Sequence, residues 1–410
     1  MLTADAPRAD SPFAALRGRN YRIYLSGQSL ANTGSWIQSI AQDWLVLHLT
    51  GSSTAVGITM ALQYGPILLL GAHTGLIADR FPKRRILLAT QMANAILTAC
   101  LAVLTIRGMI TVSEVYAFAL TVGLVFAVDS PARQSFISEV VPNHKLRGAI
   151  SLNAAVFQAT RLVGPAIAGL LISTVGTGWA FAINASLYVG PTIGLLRLRG
   201  LTPRPPAPRQ PRAIRGAVEY VLARPRVAWT ILLVGTMGSF GLNFPVVLTA
   251  MAKSTFHGNA STYGIFNIAV AIGSVGGALL AGSGLPNRLR LIVFACAGFG
   301  LAESLAALAP DYTSFLVVLV AMGMVNLAFQ AMANASVQLW IDPAMRGRVM
   351  GLYMLVFVGG TPIGAPTVGA ITNAYGPRVG MLVCGLFPLV AATSVAFVHR
   401  RAARPVLRSA

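Results

Sequence analysis

From Val379 to Val398 the chain reads VGMLVCGLFPLVAATSVAFV, without an acid, a base or a carboxamide, and Arg378 and His399 stand at its two ends. A run of that length and content is a helix built for hydrocarbon. Spanning a core of roughly 30 Å takes about 20 apolar residues, and only a backbone hydrogen-bonded within itself tolerates the absence of water. The pattern extends through the chain, which has 410 residues, 55% of them hydrophobic and 10% charged, with a mean hydropathy of +0.69. That composition excludes a water-soluble domain. Twelve such stretches can be marked, numbered here as spans 1 to 12. The first six are Tyr24–Leu49, Val56–Ala78, Ile86–Ile106, Val115–Ile137, Ala149–Val175 and Trp179–Leu196. The others are Val227–Met251, Tyr263–Gly282, Leu291–Ala309, Tyr312–Leu339, Val349–Ala374 and Val379–Val398. The expected fold class is an all-α polytopic membrane protein of twelve transmembrane helices.

A net charge of +20 suggests a nucleic-acid partner until the basic residues are placed. With the connections assigned alternately to two sides, 26 of the 31 Lys and Arg fall on the side that holds both termini. This is the positive-inside asymmetry, so both termini are expected in the cytoplasm. No recognition motif accompanies the charge, and nucleic acid is set aside as a partner. Cys100, Cys296 and Cys384 lie inside apolar spans without metal-type spacing and read as small core residues. The five His are scattered, no phosphate-binding Gly-x-x-x-x-Gly-Lys-Ser/Thr loop occurs, and no cofactor, bound metal or ATP-driven step is expected. Met1 to Arg19 is polar and basic, so no cleavable leader is expected, and residues 1–23 are read as a cytoplasmic N-terminal segment.

Between spans 6 and 7, residues 197–226 carry eight Arg and six Pro. They read as a cytoplasmic connector between two six-helix bundles, 24–196 and 227–398, with 399–410 as a basic tail. Inside the connector, Ile214, Ala217, Val218, Val221 and Leu222 keep helical spacing, predicting a short interfacial helix. The halves also repeat. An offset of 200 sets Leu152, Phe157, Gly164, Gly169 and Gly176 on Leu352, Phe357, Gly364, Gly369 and Gly376; an offset of 207 sets Gly57, Ile58 and Gly75 on Gly264, Ile265 and Gly282. Parallel six-helix repeats imply rocking of the halves about a central site.

The most specific motif is Gly75-Leu-Ile-Ala-Asp79-Arg80-Phe-Pro82-Lys83-Arg84-Arg85-Ile-Leu87, at the turn from span 2 to span 3. It resembles the major facilitator signature G-x-L-A-D-R-x-G-R-K-x-x-L, with Pro82 where that family has Gly. The resemblance implies the major facilitator fold and a gating role for Asp79, Arg80, Lys83 and Arg84, in which Asp79 accepts charge-assisted hydrogen bonds and latches the halves. An ordinary positive-inside loop is the plainer alternative. Asp129-Ser-Pro-Ala-Arg133-Gln, Val141-Pro142, Leu152-Asn153 and Arg161-Leu-Val-Gly164-Pro165-Ala-Ile-Ala168-Gly169 are together similar to the enterobactin-exporter-like branch of siderophore, macrolide and multidrug exporters. Gly164, Pro165 and Gly169 also resemble the helix 5 antiporter motif, although Ala168 replaces the first glycine of its terminal pair.

Ionisable groups inside spans cost about 2.5–3.5 kcal/mol at mid-bilayer on insertion scales, so they must face protein or water. Asp129 and Arg133 stand four apart and can pair, either as a gating or structural pair or in transport itself. Arg161, about 20 Å from the inner end of span 5 by helical rise, either meets an anionic substrate or binds helix carbonyls. Glu303, near the outer end of span 9, is expected at the periplasmic interface. Span 1 carries a polar stripe of Gln28, Asn32, Ser35, Ser39 and Gln42, bordered by Trp36 and Asp43. Weaker versions are Thr236, Ser239 and Asn243 on span 7 and Asn326, Gln330 and Asn334 on span 10. In the resembling family these helices line the central cavity, which makes Asn32, Trp36, Ser39, Arg161, Asn243, Asn326 and Gln330 candidate cavity residues; helix-to-helix bonding is the alternative. Asp43, the one acid of span 1, is the candidate proton-coupling group, unless it is simply a wet Asp at the outer mouth beside Trp44.

The resemblance implies no enzyme but a secondary transporter. It is expected to export an amphipathic drug or siderophore by alternating access with proton antiport, from a bacterial cytoplasmic membrane. Its partners are the substrate, protons and the bilayer, and the chain is read as a monomer. A lipid or lysolipid flippase of the same fold and a non-transporting sensor or assembly partner are the rival readings.

Overall fold

The computed structural model describes residues 12–201, 213–282 and 288–403, with the side chains of 12–14, 71–79, 143, 147, 213–214 and 400–403 excluded. The described chain is helical, and ten of its segments are long and apolar enough to cross a membrane. The difference from twelve has two physical causes. Span 1, observed as Arg19–Thr50, is a continuous helix, but its polar stripe keeps it below the hydropathy of the others. Spans 5 and 6 run together from Gly148 to Arg197 as one apolar length, although the backbone breaks within it: Gly176 has φ 84° and ψ 167° inside the helix Leu146–Leu187. The described residues therefore hold twelve helical segments of spanning length, as the sequence implies.

Span 2 is Ser53–Arg80, span 3 Lys83–Ile106 and span 4 Val112–Val140. Spans 8, 9 and 10 are Ala260–Gly282, Leu289–Leu308 and Tyr312–Trp340. Span 11 is two helices, Arg346–Gly359 and Thr361–Tyr375, and span 12 is Pro377–Ala403. The connector holds a helix, Ala213–Leu222, close to the predicted one. It buries Ala217 and Val221 and leaves Val218 and Leu222 exposed.

Span 7 departs most from a regular helix. It runs as Pro225–Thr236, a π turn at Met237–Gly241, Phe244–Ala250 and a second π turn at Met251–Thr255. The cause of the first break is Pro245, whose ring cannot donate to the preceding turn. Asn243 repairs it, its Nδ2 donating to the carbonyls of Ser239 at 2.8 Å and Phe240 at 2.9 Å.

The contacts divide the chain into two units, Met1–Gln42 with Leu69–Pro208 and Asp43–Leu68 with Arg209–Ala410. The core of the first includes Tyr21, Tyr24, Leu87, Phe136, Ala149 and Leu198. At several glycines of the second, helices approach closely. A Cβ on Gly273 or Gly277 of span 8 would strike the backbone of span 10 at Val320 or Met324, and one on Gly364 would strike Ser239 O. Two expectations need correction. Glu303 is fully buried, not at an interface, because the face of span 9 that carries Phe299 and Glu303 packs inward. Cys100 is exposed, unlike Cys296 and Cys384, because position 100 falls on the outward face of span 3. Asn243, a candidate cavity residue, is 0% exposed, with its amide donating to carbonyls of its own helix.

Candidate functional site

In the first unit, the charged pair of span 4 is the centre of a network. Arg133 donates from Nε to Asp129 Oδ2 at 2.6 Å and from one terminal nitrogen to Oδ1 at 2.7 Å, the forked geometry that favours Arg–carboxylate recognition. The other terminal nitrogen donates to Gln28 Oε1 on span 1 at 2.6 Å, and Thr90 Oγ1 on span 3 donates to Asp129 Oδ1 at 2.6 Å. Gln28 Nε2 passes the chain on to Asn32 Oδ1 at 3.0 Å. Three helices are thus tied by one ion pair that is mostly removed from solvent. Its charges are offset locally, so it holds geometry at small cost in net charge.

The polar stripe of span 1 is largely occupied. Ser35 bonds back to the Ala31 carbonyl, and Gln38 accepts from Asn184 Nδ2 of span 6 at 3.0 Å. Asn32, Trp36 and Ser39 are half-buried. Trp36 lies against Gly164, where a Cβ would come within 2.5 Å of the Trp36 Cβ, and its ring centroid is 6.5 Å from that of Phe157. Gly164, Pro165 and Gly169 are buried in span 5, so Gly164 is explained by close packing on span 1. Arg161 is half-buried with no ion pair among the described residues.

At the turn between spans 2 and 3, Pro82 caps span 3 with φ −56° and ψ 119°. Lys83 Nζ pairs with Glu139 of span 4 at 2.5 Å, and Arg84 donates to Leu196 O at 2.8 Å. Arg80 is exposed. The Asp79 side chain lies outside the described set.

In the second unit, Asp43 is 4% exposed and accepts from the Tyr263 hydroxyl of span 8 at 3.0 Å. It is not a wet residue at a mouth. Nearby on the same helix end, Leu47 O accepts from Lys253 Nζ at 2.9 Å. On span 10, Gln330 Nε2 donates to Asn326 Oδ1 at 2.8 Å; Asn326 is fully buried, with its Nδ2 lacking a partner. Glu303 on span 9 is more isolated still, since neither carboxyl oxygen has a hydrogen-bond partner among the described residues.

Sequence reasoning missed Thr90, Glu139 and Tyr263. Glu139 had a signal, as an acid near a basic turn. Thr90 and Tyr263 had none, being ordinary residues of apolar helices whose partners are 39 and 220 positions away. It also missed the contact of the connector helix with the loop after span 10, where the Tyr220 hydroxyl and Arg224 both reach Asp342 Oδ2, at 2.8 and 3.1 Å.

Apolar helices of spanning length with ionisable groups enclosed among them define a polytopic membrane protein. The transmembrane secretion effector family model matches residues 10–406, and the chain belongs to that family, on the exporter side of the major facilitator superfamily. It is 27% identical over 400 residues to the multidrug efflux pump Tap of Mycobacterium tuberculosis, covering 91% of this chain and 92% of that one. To the enterobactin exporter EntS of Escherichia coli it is 25% identical over 354 residues, covering 83% and 84%. Its fold is similar to that of a bacterial homologue of the human lysosomal transporter Spinster, solved inward-facing and unoccupied. That match has a TM-score of 0.74 at 15% identity and covers 93% of this chain and 96% of that one.

Proposed function

We propose that the protein is a proton-coupled exporter of an amphipathic small molecule, a drug or a siderophore, working by alternating access in a bacterial cytoplasmic membrane with both termini inside. Membership of an exporter family and full-length similarity to a drug pump and a siderophore exporter support the substrate class. The observation that carries the coupling is Asp43, a carboxyl withdrawn into the helices whose bond is to one neutral hydroxyl, that of Tyr263. A carboxyl so placed can take up a proton when its surroundings open to water and carry it neutral through a dry state. Arg161, without an ion pair among the described residues, is the candidate contact for an anionic substrate. The Asp129–Arg133–Gln28 network and the Lys83–Glu139 pair are assigned to gating and to holding the bundle.

The test is transport in proteoliposomes under an imposed pH gradient, after a thermal-shift screen of the purified protein against drugs and siderophores, since a ligand of the folded state stabilises it by mass action. Asp43→Asn is expected to abolish proton-driven efflux while substrate binding and substrate exchange persist. Full proton-driven transport by that variant removes Asp43 from the coupling, and movement of labelled phospholipid in place of drug or siderophore replaces the exporter reading with a flippase.

A further inference from the structure

At the end of the second unit where spans 7 and 9 begin and spans 10 and 12 finish, a cavity of about 330 Å³ is lined by Arg226, Arg288, Leu289, Arg290, Trp340 and His399. Four different helices supply these residues. Arg226 is in the first turn of Pro225–Thr236, Arg288 is the N-cap of span 9 and Arg290 lies in its first turn. The two helix starts add the positive ends of their dipoles to three guanidiniums.

No acidic side chain among the described residues of the unit pairs with these cations. Its acids are Asp43, Glu219, Glu303, Asp311 and Asp342. Asp43 is bonded to Tyr263, Glu219 pairs with Arg215, Asp342 pairs with Arg224 and Asp311 caps span 10. Glu303 is sealed in the interior. Arg226, Arg288 and Arg290 are exposed at this hollow and have no ion pair among the described residues, so an anion can reach all three, and the planar guanidinium fork suits phosphate oxygens.

The surroundings say which phosphate. Leu339 beside Trp340 is 65% exposed, Phe294, four residues along the helix from Arg290, is 65% exposed, and Phe397 and Val398 beside His399 are exposed as well. Apolar flanks of spans 9, 10 and 12 therefore run away from the basic hollow, and Trp340 marks the depth at which an indole prefers the headgroup layer. We propose that this cavity is a binding site for the phosphodiester headgroup of an anionic phospholipid, with the acyl chains lying along those flanks.

The full-length protein, purified in detergent, is titrated with dioleoylphosphatidylglycerol, with dioleoylphosphatidylcholine and with inorganic phosphate. Retained lipid is read by native mass spectrometry and stability by thermal unfolding. Retention of phosphatidylglycerol, and stabilisation by it, are expected for the wild type and for the exposed-charge control Arg19→Gln/Arg22→Gln. Arg288→Gln/Arg290→Gln is expected to bind it about tenfold more weakly, a loss on the scale of one or two charge-assisted contacts. Arg226→Gln provides an independent variant on another helix and is expected to weaken it in the same sense. Equal retention of phosphatidylglycerol by the pocket variants overturns the proposal. So does equal retention of phosphatidylcholine by the wild type. Stabilisation by inorganic phosphate equal to that by the lipid would assign the cavity to a soluble anion and overturn the lipid reading as well.

Discussion

Asp129 and Glu303 are both acids inside the membrane-crossing helices, and their surroundings give them opposite energetics. Asp129 accepts three hydrogen bonds, two of them from Arg133, whereas neither oxygen of Glu303 meets a donor. Removing one partner of a largely buried ion pair leaves an uncompensated charge. Asp129→Ala is therefore expected to destabilise the protein by about 3 kcal/mol, and the added change Arg133→Met should recover most of it. Denaturant or thermal unfolding of the two variants decides this; additive losses would mean that the pair is not a unit. Glu303→Met is expected to act the other way, because it removes a buried polar group without partners at similar length, and should raise stability by about 1–3 kcal/mol. A lower unfolding midpoint for Glu303→Met would show that the carboxyl is engaged in the native state. The sequence distinguished these acids only in part. The spacing of four between Asp129 and Arg133 made their pairing legible, since a helix brings such residues to one face. The burial of Glu303 was not legible, because a run such as Phe299-Gly-Leu-Ala-Glu303 does not reveal which face of a mostly apolar helix packs inward.

At the scale of helices the repeat is visible in backbone geometry as well as in residue identity. Gly176 and Gly376, related by the offset of 200, have φ of 84° and 91° and ψ of 167° and 163°, at equivalent breaks before spans 6 and 12. Only glycine occupies that region without strain, so the two positions are glycine for the same reason. The pair Gly164 and Gly364 behaves likewise: the first packs on Trp36 of span 1 and the second on Ser239 of span 7, the corresponding helix of the other half. Gly376→Ala is expected to cost about 1–3 kcal/mol through backbone strain alone. Gly364→Ala is expected to cost at least as much through separation of spans 7 and 11, since a Cβ there would lie 1.5 Å from a carbonyl oxygen. Unfolding midpoints equal to wild type for both would contradict the geometry. Helix existence was readable because a membrane span needs length and hydropathy and little else. The interruption of span 7 was not legible: Pro245 stands at the break, but Pro66, Pro131 and Pro388 lie inside helices that continue, and the donation of Asn243 to the carbonyls of Ser239 and Phe240 depends on the path of the broken backbone.

For the whole chain, the distribution of basic residues and the ends of the helices make one claim about orientation. Arg226, Arg288, Arg290 and His399 gather at one end of the second unit, and Arg346 starts span 11 at the connection from span 10. Lys253 and Arg378, the basic groups of this half assigned to the other side, do not stand free in solvent. Lys253 donates to Leu47 O, and Arg378 donates to the carbonyls of Ala307 and Ala309 at the end of span 9. Cations at helix C-termini are stabilised by the last carbonyls, so these two are held by structure, while the clustered cations remain available to the rule that keeps positive charge in the cytoplasm. A reporter inserted at Arg209 of the connector and another fused after Ala410 are therefore expected to report the cytoplasm. A third beside Gly258, between spans 7 and 8, should report the periplasm. Alkaline phosphatase and green fluorescent protein fusions give complementary signals for the three positions. Because an even number of crossings separates Arg209 from Ala410, opposite signals at those two would refute the six-helix second half. Gly258 on the same side as Arg209 would remove the crossing at span 7, the helix interrupted twice by π turns, and agreement of Ala410 with both would by parity remove one of spans 8 to 12 as well.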